Sequence, residues 1–194
     1  FGHPFLERIY TAERFLRRGV AGALMANIEG QFEGDRMFVS CTPEEWDAVT
    51  RVHLRGHFCT SRHAVDYWRA QQKAGKKVDA RIINTSSGAG LQGSVGQSAY
   101  SAAKAGMHGF TMALAREVAR KGVTVNSVSP GYCETALVMA IPEDIRAGIV
   151  EKVPVGRLGK PSEIARTVEF LTADDAGFIT GANIPVNGGM FMSF

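Results

Sequence analysis

With 194 residues, 45% of them hydrophobic and 21% charged, the chain has the composition of one ordinary globular domain, long enough to bury a sizeable core. Its formal net charge of +3 comes from lysines and arginines interleaved with acids, which gives no stripe for nucleic acid. No apolar run reaches the roughly 18 residues of a membrane helix, so neither nucleic acid nor membrane is expected as a partner.

Residues 1–34 read differently from the rest. Phe5 to Arg18 fits one amphipathic helix, and Gly19 to Gly34 looks irregular. Arg17-Arg18 followed by Gly19 to Ala26 mimics a signal peptide, but its apolar part is short and follows Glu7 and Glu13, so export is not expected. Cys41, Cys59 and Cys133 are an odd number without tight spacing, which points to free thiols and a cytoplasmic chain. The chain is therefore divided into an atypical N-terminal segment, 1–34, and a domain over 35–194.

From Asp35 strand and helix signals alternate. Thr42-Pro43-Glu44-Glu45 supplies a capping residue, a proline at the first helical position and a glutamate to close a capping box. The helix it starts is expected to run towards Gln72, disturbed at Gly56, with Lys73 to Asp79 as a polar connection. Arg81 to Thr85 reads as a short buried strand, and Ser86 to Gln97 as a Gly- and Ser-rich loop. A second long helix is expected over Ser98 to Lys121, because Ala103, Met107, Phe110, Leu114 and Val118 recur at three- and four-residue spacing before Gly122. Val123 to Val128 is another strand, ended by Pro130-Gly131. Glu134 to Val155, with Leu137, Met139 and Ile141, reads as an apolar lid loop suited to acyl chains or other bulky carbonyls. A helix starts near Pro161, and Ala182 to Val186 makes a last strand before Gly188-Gly189. This order argues for an α/β fold, a parallel sheet covered by helices.

The strongest chemical signal is Tyr100-Ser101-Ala102-Ala103-Lys104, with Ser87 thirteen residues before the tyrosine. Positions four apart share a helix face, so Tyr100 and Lys104 are neighbours. A free tyrosine has a pKa of about 10 and shuttles protons poorly at neutral pH. A nearby ammonium favours the phenolate and draws the group towards useful acid–base chemistry. Ser87 lies just past a strand end, where a loop can offer its hydroxyl to a substrate oxygen. Taken alone, Tyr-x-x-x-Lys is more often a surface pair.

Arg81 to Ser87, Tyr100 to Lys104 and Val125-Asn126-Ser127-Val128-Ser129-Pro130-Gly131 together resemble consecutive hallmarks of the short-chain dehydrogenase/reductase family. The tail from Ile179-Thr180-Gly181 to Gly188-Gly189 looks like that family's last strand, so the resemblance covers about Asp35 to the end. It implies a Rossmann-like sheet with helices on both faces. The implied activity is hydride transfer between NAD or NADP and a small-molecule carbonyl or secondary alcohol. The closest flavour is that of 3-oxoacyl-thioester reductases and (3R)-hydroxyacyl-CoA dehydrogenases. By this resemblance Tyr100 is the general acid/base, Lys104 tunes it and holds the nicotinamide ribose, and Ser87 orients the carbonyl. Pro130, Gly131, Cys133 and Thr135 would line the nicotinamide. The family's long helices pair with their copies, and Met190-Phe191-Met192-Ser193-Phe194 is an apolar ending, so a homodimer or homotetramer is expected.

Two departures stand out. Where the family places an Asn in Asn-Leu-x-Gly to anchor a proton-relay water, this chain has His53-Leu54-Arg55-Gly56, and an imidazole can also donate and accept. The glycine pattern Gly-x-x-x-Gly-x-Gly, and an Asn-Asn-Ala-Gly strand end before Asp35, are not found, so the N-terminal half of the fold is incomplete in this sequence. Either the adenosine half binds elsewhere, the chain is truncated or spliced, or segments are missing from it. A catalytically inactive dehydrogenase-like subunit or remnant, acting through protein contacts, is the alternative. The expected cofactor is NAD or NADP, because the discriminating residue would follow a second strand that is not found. Without a phosphate site the chain made alone should bind either dinucleotide only in the millimolar range or not at all, as a calorimetric titration would read.

Three motifs are read as coincidence. Gly88-Ala89-Gly90-Leu91-Gln92-Gly93 spells a dinucleotide fingerprint, but no acidic residue ends a second strand about 20 residues on, and the stretch reads as a flexible active-site loop. Ser101 to Lys104 spells the acyl-serine signature Ser-x-x-Lys without its companions. His53 and His57 stand four apart like zinc ligands but lack the glutamate between them, so no metal is expected. His57, His63 and His108 are read as ordinary helix residues.

Overall fold

A computed structural model describes residues 41–192, so the expectations for 1–34, Ser193 and Phe194 lie outside the described residues. Helix α1, Pro43–Thr50, begins with the expected capping box: Thr42 Oγ1 accepts from Glu45 N at 3.1 Å, and Glu45 Oε2 accepts from Thr42 N at 2.8 Å. The chain then makes a π-turn over Arg51–Arg55, closed by Gly56 N–H donating to Arg51 O, before α2, Gly56–Lys73. The disturbance expected at Gly56 thus occupies the five residues before it, and His53 sits in that turn. A π-turn holds one residue more per hydrogen-bonded ring than an α-turn and is common at functional sites.

Strand β1, Ala80–Thr85, pairs in parallel with β2, Val123–Pro130, and β2 with β3, Asn183–Val186. Between β1 and β2 lie α3, Gly88–Gln92, and α4, Ser98–Val118; between β2 and β3 lies α7, Pro161–Thr172. The strands' two-residue period decides what covers each face. Ala80, Ile82, Val123 and Val125 pack with Ala115 and Val118 of α4, and Val65 and Trp68 of α2 close that core. Asn84 continues the same face and donates from Nδ2 to Thr111 Oγ1 on α4 at 2.9 Å. Arg81 points the other way, donating to the carbonyls of Ala173 and Asp174 that follow α7. Helices therefore cover both faces of a parallel sheet, as expected of the family fold. Complete burial of Val125 contributes roughly 1.5–3 kcal/mol. Gly122 stops α4 after a short 3₁₀ turn: its φ is +73°, and a Cβ there would overlap the Val78 carbonyl oxygen.

Two expected loops are helical. Gly88–Gln92 forms α3 because the Ser87 side chain caps it, accepting from Ala89 N at 3.2 Å. Its glycines argue against a helix by propensity, and the cap with the packing described below overrides them. The expected lid over Glu134 to Val155 contains α5, Ala136–Met139, capped by Thr135, and α6, Glu143–Glu151, which begins with two acids after Pro142. Leu137 and Met139 stand exposed on α5, at 83% and 49%. Among the described residues no helix is long and apolar enough to cross a membrane.

Candidate active site

In parallel pairing β1 and β2 finish on the same side, with Thr85 opposite Val128. The chain leaving β1 stays on β2: Ser86 N donates to Val128 O at 2.8 Å, and a Cβ added to Gly88 would lie 3.6 Å from Pro130 O. Ser87 and the Pro130 segment are thereby set side by side at the carboxyl ends of the strands, where open α/β sheets take their ligands.

Helix α4 starts at Ser98, so Tyr100 falls in its first turn and Lys104 one turn later. Lys104 Nζ lies 5.6 Å from the centre of the Tyr100 ring and donates to Thr85 O at 2.7 Å. Lys104 is only 4% exposed, and burial holds its ammonium below the usual lysine range. The His53 ring meets Tyr100 edge to face, with centroids 5.0 Å apart and planes at 87°. Burial first, and then the charge of Lys104, lower the pKa of His53. A neutral imidazole has one donor and one acceptor nitrogen, which is what a proton relay requires. His57, one turn along, is lowered by burial and by Lys104 in the same way.

Tyr100, Lys104 and His53 are thus brought together. Ser87 is the next residue after Ser86, whose hydroxyl donates to Lys104 O at 2.8 Å. Ser87 uses its oxygen as an acceptor in the α3 cap, so its hydroxyl hydrogen remains to be donated. Among the described residues no group of three or more His, Cys, Asp or Glu is placed to hold a metal ion.

Sequence reasoning missed the part played by Gly90. A Cβ there would fall 2.6 Å from the Lys104 carbonyl carbon and 2.8 Å from Ala105 N, so only a glycine lets α3 lie on the α4 backbone beside Lys104. The middle glycine of the apparent dinucleotide fingerprint is thus a packing contact. Gly90→Ala should push α3, and Ser87 with it, away from α4. The expected loss of stability is about 1–3 kcal/mol by thermal melting. Gly109→Ala is the control, because a Cβ at Gly109 meets nothing within 4 Å, and it should melt no lower than wild type.

The second row of expected residues forms one continuous segment. Pro130 ends β2, and Gly131 N donates to Val186 O at 3.0 Å. A Cβ on Gly131 would come within 2.8 Å of Asn187 Cα, which fixes that position as glycine. Cys133 is buried and pairs by its backbone with Gly159. Burial, then Glu163, push its thiol pKa up, which disfavours the reactive thiolate. Thr135 Oγ1 accepts from Val138 N at 3.4 Å as the cap of α5. Asn187, which sequence reasoning did not single out, holds the tail behind this segment: its Oδ1 accepts from Gly189 N at 3.0 Å and its Nδ2 donates to Phe191 O at 3.1 Å.

The family described as enoyl-(acyl carrier protein) reductase matches residues 21–191 of this chain. The acetoacetyl-CoA reductase of Allochromatium vinosum is 49% identical over 158 residues, covering 81% of this chain and 62% of that protein. The acetoacetyl-CoA reductase of Shinella zoogloeoides is 50% identical over 158 residues, covering 81% and 63%. The 3-oxoacyl-(acyl-carrier-protein) reductase of Escherichia coli is 45% identical over 158 residues, covering 81% and 62%. The matched part of the chain spans less than two thirds of the length of these relatives.

Proposed function

Because the chain belongs to the short-chain dehydrogenase/reductase family, we propose that it transfers a hydride between NAD or NADP and the carbonyl of a 3-oxoacyl thioester. The observation that carries this reading is the contact of Tyr100 with both His53 and buried Lys104 beside the carboxyl ends of the strands. The residues present fit a nicotinamide riboside: Tyr100 and Lys104 offer hydrogen-bond donors to ribose hydroxyls, and Pro130, Gly131, Cys133 and Thr135 offer backbone groups and a hydroxyl to the ring. When bound, the nicotinamide supplies or accepts the hydride.

The chain's own residues manage the proton. Tyr100 gives its hydroxyl proton to the carbonyl oxygen as that oxygen gains charge, and Ser87 donates a hydrogen bond to the same atom. The charge of Lys104 stabilises the phenolate left behind. His53, standing where the family's Asn-Leu-x-Gly asparagine would be, passes a proton from water to the Tyr100 phenolate, taking it up on one ring nitrogen as it donates from the other. The inactive alternative draws no support from these intact residues or from relatives named as reductases.

The test is consumption of NADPH or NADH by the full-length protein with acetoacetyl-CoA and longer 3-oxoacyl-CoA thioesters, followed by nicotinamide absorbance. Activity on the thioesters is expected. No oxidation of either dinucleotide above the rate without enzyme would sink the reading.

We place the catalytic part in residues 35–194, and the protein in the cytoplasm as a homodimer or homotetramer. Free thiols at Cys41, Cys59 and Cys133 favour a reducing compartment. Phe58 on α2 and Met112 on α4, at 47% and 50% exposed, favour pairing of these helices with their copies. A monomeric mass by light scattering at micromolar concentration would count against the assembly.

A further inference from the structure

Tyr100 and Lys104 stand one turn apart on α4, and the next residue along that face is His108. It has no place in the proton transfer above, and it is not the ordinary helix residue that its sequence context indicates. Its Nε2 lies 3.4 Å from Ser129 Oγ, near the end of β2. Ser129 spends its own hydrogen on Asn183 Oδ1 at 2.7 Å, and Ser127 donates to the same oxygen at 2.9 Å. With that hydrogen committed, Ser129 Oγ can only accept, so Nε2 must be the protonated nitrogen of the His108 ring. Burial holds the pKa of His108 below the usual histidine range, in keeping with a neutral ring.

The location gives this bond its consequence. Ser127 and Ser129 are fully buried, and their hydroxyls with Asn183 form a polar seam between β2 and β3. Ser129 directly precedes Pro130, and the seam continues into the bond from Gly131 N to Val186 O and the close approach of Gly131 to Asn187. One helix therefore carries the acid–base pair and, one turn further on, a brace on the segment beside it.

Resting on the proposed function, we propose that His108 is a positioning residue for the dinucleotide, holding the Pro130–Thr135 segment in place through Ser129. Loss of one neutral hydrogen bond of this kind should weaken dinucleotide binding about three- to ten-fold. A glutamine, whose amide nitrogen can take the place of Nε2, should restore it.

The test compares the full-length wild type with His108→Leu, His108→Gln, Ser129→Ala and the double variant of His108→Leu with Ser129→Ala. Two readouts are taken: NADPH affinity by fluorescence titration, and amide hydrogen exchange at residues 131–135. His108→Leu should weaken NADPH binding and speed exchange at 131–135 while leaving 80–85 unchanged, and His108→Gln should reverse both effects. In the Ser129→Ala background, His108→Leu should change neither readout, because its partner is already gone. Should His108→Leu fail to fold, His108→Asn, whose amide is too short to reach Ser129, gives the same contrast with His108→Gln. Wild-type affinity and exchange in His108→Leu would overturn the proposal, as would an undiminished effect in the Ser129→Ala background. A wild type that reduces no thioester yet shows this exchange pattern would sink the proposed reaction and leave the brace standing.

Discussion

Tyr100→Phe should abolish turnover almost completely, by about 10²–10⁴-fold, the range that general acid–base catalysis supplies. The substitution keeps the ring that meets His53 edge to face and lies under Lys104 Nζ, and deletes only the hydroxyl. Packing is preserved, so the melting temperature should stay at the wild-type value and the loss should fall on kcat. Ser87→Ala gives the calibrating contrast. It removes the donor proposed for the developing oxyanion, which should cost about 10²-fold, and it also removes the α3 cap, so melting should fall slightly. A Tyr100→Phe variant with more than a few per cent of wild-type kcat would show that the transferred proton comes from another group.

Where local chemistry decides, the sequence could be read directly. Thr42 and Glu45 form the predicted capping box, Gly122 stops α4 in the left-handed conformation, and β1 begins one residue from its expected start. The juxtaposition of Tyr100 and Lys104 was legible for a similar reason, since helical spacing alone makes them neighbours. What could not be read depends on partners distant in sequence. Gly90 is explained by the α4 backbone at Lys104, and Gly131 by Asn187. His108 looks like any helix histidine until β2 brings Ser129 to it. In sequence, helix α3 looks like a loop because its glycines disfavour a helix, while the compensating contact with α4 is tertiary.

Lys104→Met should separate activity from stability, because the two depend on its charge in opposite ways. For turnover the ammonium lies 5.6 Å from the Tyr100 ring, and under the proposed reaction its loss should cost about 10²-fold or more in kcat/KM. For folding the buried charge is a burden. Burial sets the folded pKa of Lys104 below the value it has in the unfolded chain. Below that lowered pKa both states carry the proton, and folding bears the full cost of taking the charge out of water. As pH rises through the lowered pKa towards the ordinary lysine value, the folded amine turns neutral and the cost fades. Methionine removes this cost at every pH, so the variant should gain most, relative to wild type, at neutral and acid pH, and the gap should narrow in alkali. Against this gain stands the lost bond to Thr85 O, but that bond is only part-buried, so water can replace the donor. Thermal melting against pH should therefore show Lys104→Met at least as stable as wild type near neutrality. The wild-type rate should fall in alkali at a pH below the usual lysine range, as the ammonium is lost. Turnover within an order of magnitude of wild type would remove Lys104 from the catalytic centre. A melting curve well below wild type at neutral pH would mean that its bond to Thr85, rather than its charge, is what the fold keeps it for.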